Sequence, residues 1–158
     1  MFDASLTTFL EQGLAIHLGT RNSVLEPNGV RVTAVKVSDD RLHLIAYVTS
    51  ADAATVLQDL RDNGQAAVTL VRPSDDRACQ VKGTFVEVRD ADESEQPLIE
   101  GQWQGFVQQL EMIGLPALAT SAWKMWPCVA IRIRATALFD QTPGPGAGGP
   151  LVASGAER

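Results

Sequence analysis

The stretch from Gln65 to Val88 constrains this chain most, because two runs of strand character meet there at Arg72-Pro73-Ser74-Asp75-Asp76 and the second changes phase partway. In an extended chain successive side chains alternate between faces. Gln80, Lys82 and Thr84 therefore share one side, and Cys79, Val81 and Phe85 the other. From Val86 the pattern inverts, since Val86 and Val88 are apolar while Glu87 and Arg89 are charged. Such an inversion requires an extra residue in the strand, and Gly83 is the natural place for the bulge. The polar stripe is basic and amide-bearing, with Arg72 and Arg77 at the turn. It can hold a phosphorylated cofactor, and it is equally the wet face of an ordinary sheet.

Elsewhere the pattern alternates between the two periods. Asp3 or Ser5 can cap a short opening helix carrying Phe2, Leu6, Phe9 and Leu10, with Gly13 to end it. Leu14 to Gly19 reads as a strand, and Val30–Val37 with Leu42–Thr49 reads as a hairpin turned at Ser38-Asp39-Asp40. Thr49 or Ser50 can cap a helix from Ala51 to Asn63 whose apolar face is Ala53, Val56, Leu57 and Leu60, and Gly64 supplies a left-handed end. From Glu93 to Ile113, the residues Ile99, Trp103, Phe106, Leu110 and Ile113 recur at helical spacing. Gly114 and Pro116 break that helix, and a last strand runs from Val129 to Leu138. Six strand-like runs with few helices predict a mainly β fold, a closed or nearly closed antiparallel barrel with helices packed outside.

The 158 residues suffice for one core, so residues 1–141 are read as one domain. Residues 142–158 form a Gly/Pro-rich tail, expected to be flexible. A net charge of -6 argues against a nucleic-acid partner. Cys79 and Cys128 lie outside any metal-ligand spacing, which predicts no metal site and two small buried residues. The start Met1-Phe2-Asp3 does not read as a secretory leader, and no run approaches the roughly 18 apolar residues of a membrane span. A cytoplasmic protein with no membrane partner is expected.

Candidate chemistry is sparse. Arg31 and Lys36 are the cations a phosphate would need, yet five residues apart on a regular strand they face opposite ways. Tyr47 and Thr49 share a strand face and can donate hydrogen bonds to a cofactor. His17 and His43 have no neighbouring nucleophile, and the carboxylates cluster in turns and helix starts, so no catalytic residue is assigned. Trp123 and Trp126 form an aromatic patch that reads as a core plug or a subunit contact.

Taken together, the element order and these residues resemble the pyridoxamine 5'-phosphate oxidase-like family, the FMN-binding split barrels, over roughly Leu6 to Gln141. Arg31-Val32-Thr33-Ala34-Val35-Lys36 is similar to the family strand whose Arg and Lys contact FMN. Tyr47-Val48-Thr49-Ser50 occupies the place of the next cofactor strand, and Gln80-Val81-Lys82-Gly83 resembles a later strand where a Gln faces the flavin. The resemblance implies a six-stranded antiparallel split β-barrel, a homodimer with cofactor at the subunit interface, and FMN contacts at Arg31, Lys36, Tyr47, Thr49, Gln80 and Lys82. It also implies flavin-dependent oxidoreductase chemistry on an unspecified small molecule. The chain departs from the family where Ala51-Asp52-Ala53-Ala54 replaces an Arg-Lys pair, and it has no clear match to the oxidase's substrate-binding Arg and His. A second reading is a non-catalytic dimeric barrel, a ligand-binding or sensor module without flavin.

Overall fold

A computed structural model describes residues 1–151. Its strands are β1 (Ala15–Arg21), β2 (Pro27–Val32), β3 (Ala34–Val37), β4 (His43–Thr49), β5 (Gln65–Val71), β6 (Ala78–Asp90) and β7 (Cys128–Asp140). The helices are α1 (Ala4–Leu10), α2 (Ala54–Asn63) and α3 (Gln96–Met112), with short 3-10 turns at Glu93–Glu95 and Ala117–Thr120. The fold is mainly β with flanking helices. No helix among the described residues is long and apolar enough to cross a membrane.

All strand pairs are antiparallel, in the order β2-β1-β5-β6-β7-β4-β3. The expected count of six strands is corrected to seven. The run read as one strand, Val30–Val37, is divided at Thr33, so that its first part pairs with β1 and its second with β4. The break has a local cause: the Thr33 amide and hydroxyl both donate to the Tyr47 carbonyl at 2.8 Å. Because β2 and β3 are consecutive in the chain yet stand at opposite ends of the strand order, the sheet curls upon itself.

The curl encloses the main core, in which Ile16, Leu18, Val35, Leu44, Val68 and Ile131 are 1% exposed or less. A smaller apolar cluster of Ala34, Tyr47, Ile99, Cys128 and Ala130 lies apart from it, where α3 packs. The break at Thr33 slips the alternation by one residue. Val32 and Val35 both enter the main core, so their neighbours Arg31 and Lys36 both point away from it.

Between β6 and β7 the register shifts twice, at Lys82/Gly83 and at Phe85/Glu87. The bulge expected at Gly83 is corrected: at the first shift the extra residue is Thr136 on the partner strand, and the extra residue of β6 itself is Val86, at the second shift, which produces the phase inversion. Gly83 is needed for close approach: a Cβ there would lie 2.3 Å from the Arg134 carbonyl oxygen.

Several boundaries differ from expectation. Asp3 does cap α1, accepting from the Leu6 amide at 2.7 Å, but the helix ends at Leu10. Gly13 instead packs against α3, where an added Cβ would meet the Phe106 amide nitrogen at 2.0 Å. Neither Thr49 nor Ser50 caps α2, which begins only at Ala54 with no side-chain cap. Thr49 donates to Asp52 instead. Gly64 closes α2 in the left-handed conformation at φ 71°. Beyond β7 the chain turns back, Phe139 bridging Pro150 and the Leu151 amide donating to the Leu138 carbonyl at 2.8 Å. The remainder of the expected flexible tail, residues 152–158, lies outside the described residues.

Candidate functional site

Arg31 is the most unusual cation in the molecule. It leaves β2 on the outer side, beside its cross-strand neighbour His17. One guanidinium face lies 4.9 Å from the ring centroid of Trp103 and another approach is closed by Trp123 at 4.6 Å. Trp103 comes from the buried stripe of α3, and Trp123 from the loop that follows. With Phe106 the two indoles form an aromatic triad with centroids 5.6 to 6.3 Å apart. Each such cation–aromatic contact contributes about 0.5–2 kcal/mol, toward the upper end where water is excluded.

Among the described residues Arg31 donates no hydrogen bond to the chain, so its N–H edge is unmated although the group is half-buried. Burial lowers its pKa, and the nearby Asp52 carboxylate acts in the opposite sense. The group remains a cation at any ordinary pH. Arg31 opens into a cleft of about 430 Å³ shared with Thr49, Asp52, Lys124 and Trp126. An unmated planar fork with shielded faces can bind a carboxylate or a phosphate edge-on.

Of the six residues expected to contact a cofactor, only Arg31 and Thr49 share this cleft. The Thr49 hydroxyl is already committed to Asp52. Tyr47 is fully buried, and its hydroxyl donates to Glu95 Oε1 at 2.7 Å. Burial first, then Glu95, raises the phenol pKa far above its ordinary value. Arg89 grips the same Glu95 carboxylate with two bonds of 2.7 Å, which hold that carboxyl down to about 2. Tyr47 thus serves as a tie between β4 and the turn before α3. Gln80 donates across the sheet to the Thr69 hydroxyl at 3.1 Å. Lys36 is exposed on β3, and Lys82 lies over the Phe139 ring at 5.0 Å, lining a different groove with Arg21 and Asn28.

Trp103, Trp123 and Asp52 belong to the site without having been assigned to it from the sequence. Trp103 reads as one more member of an apolar helix stripe, and nothing in local spacing reveals that a cation covers its outer face. Among the described residues, no group of three or more His, Cys, Asp and Glu side chains could hold a metal ion.

No family model matches the sequence, and no curated protein matches it. Solved structures do resemble it. HupZ from Group A Streptococcus aligns with a TM-score of 0.56 at 15% identity, covering 94% of this chain and 100% of that one. An F420 reductase aligns with a TM-score of 0.56 at 17% identity, covering 83% and 93%. A putative pyridoxamine 5'-phosphate oxidase from Lactobacillus delbrueckii aligns with a TM-score of 0.54 at 12% identity, covering 87% and 92%. At these identities the likeness is one of fold, and it supports the resemblance drawn from the sequence: the chain has the fold of the pyridoxamine 5'-phosphate oxidase-like proteins.

Proposed function

We propose that this chain is an FMN-binding split-barrel protein of the pyridoxamine 5'-phosphate oxidase-related group, acting as an oxidoreductase on a small molecule. The single observation that carries the reading is Arg31, a half-buried guanidinium with aromatic rings against it and no acceptor in its own chain. Such a group suits the terminal phosphate of a nucleotide cofactor. The fold shared with a putative pyridoxamine 5'-phosphate oxidase and an F420 reductase adds support. A bound flavin would supply the hydride or electron chemistry. The chain's own part is to anchor the phosphate through Arg31, with Lys124 at the rim of the same cleft and Thr49 beside it. Lys36, Gln80 and Lys82 point outward, and this reading assigns them to the cofactor through a homodimer, where a second copy brings its outer sheet face to the site.

The test is the visible absorbance of the purified protein, alone and after incubation with FMN and desalting. The wild-type protein retains the flavin band, and Arg31→Ala combined with Lys36→Ala loses it. Unchanged flavin content in the double variant would remove this site from consideration. A second reading, a ligand-binding module without flavin, is favoured by Asp52, whose carboxylate lines the cleft where a phosphate would lie. Colourless protein that takes up no FMN supports that alternative.

A further inference from the structure

Trp123 stands in the wall of three clefts at once. It borders the cleft of about 430 Å³ that holds Arg31 and Lys124. It also closes a cavity of about 100 Å³ behind Arg31, beside His17 and Phe106. On its third side lies a groove of about 440 Å³ along Gln104, Val107 and Thr120. With the indole in place these spaces are separate; displacing it would join them into one trough with Arg31 at its centre.

The segment that carries Trp123 is hydrogen-bonded to the body only at its two ends, to α3 through the Leu115 amide and, past Lys124, through the Met125 and Pro127 carbonyls, which accept from the Cys128 thiol and the Ser50 amide. Between the ends of α3 and β7, the amides of Leu115, Ala119, Ser121 and Trp123 donate to Leu110, Pro116, Leu118 and Thr120. The Thr120 and Ser121 hydroxyls likewise return to Ala117 and Leu118. Among the described residues no hydrogen bond runs from residues 115–124 to the sheet. Gly114, at φ 91°, supplies a backbone pivot at the α3 end. Segments whose hydrogen bonds are internal can shift as a unit while the scaffold stays fixed. The two indoles on Arg31 are accordingly unequal. Trp103 is 8% exposed and belongs to the buried face of α3, whereas Trp123 is 42% exposed and belongs to the strap.

We propose that residues 115–124 form a lid, hinged at Gly114 and before Met125, and that Trp123 is its latch: a planar aromatic ligand bearing an anionic group displaces the indole, places its anion on the Arg31 edge and its ring where Trp123 lay. This rests on the reading of Arg31 as the anion anchor and adds to it a regulated entry. A ligand of this kind replaces one ring stacked on the guanidinium by another, so opening the lid leaves the cation's face covered.

The experiment reads Arg31 directly, by the rate at which phenylglyoxal modifies it in the full chain, followed by peptide mass spectrometry with exposed Arg41 and Arg134 as internal references. Trp123→Ala speeds modification of Arg31 roughly tenfold, the factor expected for losing one shielded cation–aromatic contact. Trp123→Phe, which keeps an aromatic latch, stays near the wild-type rate. Equal rates in all three proteins overturn the latch whatever the flavin result. A second measurement uses protein labelled with 5-fluorotryptophan, in which added FMN moves the Trp123 fluorine resonance and leaves that of Trp103 in place. If FMN protects Arg31 yet the Trp123 resonance does not move, the latch is overturned and the flavin reading stands. If the alanine variant is modified faster but FMN gives no protection, the latch is supported and the flavin reading falls.

Discussion

At the scale of single residues, Thr33 changes what its strand presents. By placing two donors on one carbonyl it interrupts the pleat, and the slip that follows turns Arg31 and Lys36 to the same outer side. The five-residue spacing was legible in the sequence; the slip was not, because it depends on a carbonyl from another strand. The Tyr47–Glu95–Arg89 tie gives a prediction at this scale. Arg89 holds the Glu95 carboxyl down from 4.5 to about 2, with Tyr47 adding to the effect against the cost of burial. A carboxyl depressed on folding contributes stability that is fully present above its unfolded value and is lost as pH falls through its folded value. The contribution is therefore intact above about pH 4.5 and disappears toward about pH 2. Glu95→Gln should lower stability at neutral pH by about 1–2 kcal/mol, discounted because Arg89 is half-exposed, and flatten the acid limb. Urea denaturation at several pH values measures both effects. A variant as stable as wild type at pH 7 would deny the tie its role.

At the scale of elements, α3 is the piece that makes the site. Its stripe of Ile99, Trp103 and Phe106 is buried, as the helical spacing predicts, while Ile113 at the far end is 50% exposed. What spacing did not show is the part played by Gln102. Its amide lies against the open edge of β3, accepting from the Val35 amide at 3.0 Å and donating to the Val35 carbonyl at 2.7 Å. Glu11 performs half of that task one residue pair along, accepting from the Val37 amide at 2.8 Å. Unpaired strand edges template association between chains, so the helix both seals the edge and brings Trp103 over Arg31. Gln102→Leu should leave two buried backbone groups without partners, costing about 1–3 kcal/mol, and raise the tendency to aggregate. Thermal unfolding with concurrent light scattering tests this. An unchanged midpoint with no added scatter would show that the edge tolerates exposure. Local propensity also misplaced the start of α2: a Thr-Ser pair reads as a cap, but Thr49 belongs to β4 and its hydroxyl is drawn to Asp52.

At the scale of the whole molecule, the curl comes from one broken strand serving both ends of the sheet. The outer face of β1, β5, β6 and β7 presents Gly19, Ala67, Lys82 and Ala137 in register, a row of mostly small side chains. Together with the outward Gln80 and Lys36, this face is where the proposed second copy docks. Light scattering on the eluting protein should give twice the chain mass, and Lys82→Glu combined with Gln80→Glu should shift it toward a single chain. A wild-type protein eluting as one chain at micromolar concentration would sink the shared site. The alternation of side chains and the helical repeat depend on neighbours one to four residues away. They therefore determined from the sequence alone the strand or helix character of most segments, where Gly64 turns the chain, and that β6 changes phase, while the division of Val30–Val37 at Thr33 and the placing of the extra residue at Val86 and not Gly83 depended on the partner strands. Which cation meets which ring was decided only by the tertiary structure. Arg31, Trp103 and Trp123 are joined through a curled sheet and a helix laid over its edge, and contacts between such distant segments follow from how the elements pack rather than from any local pattern.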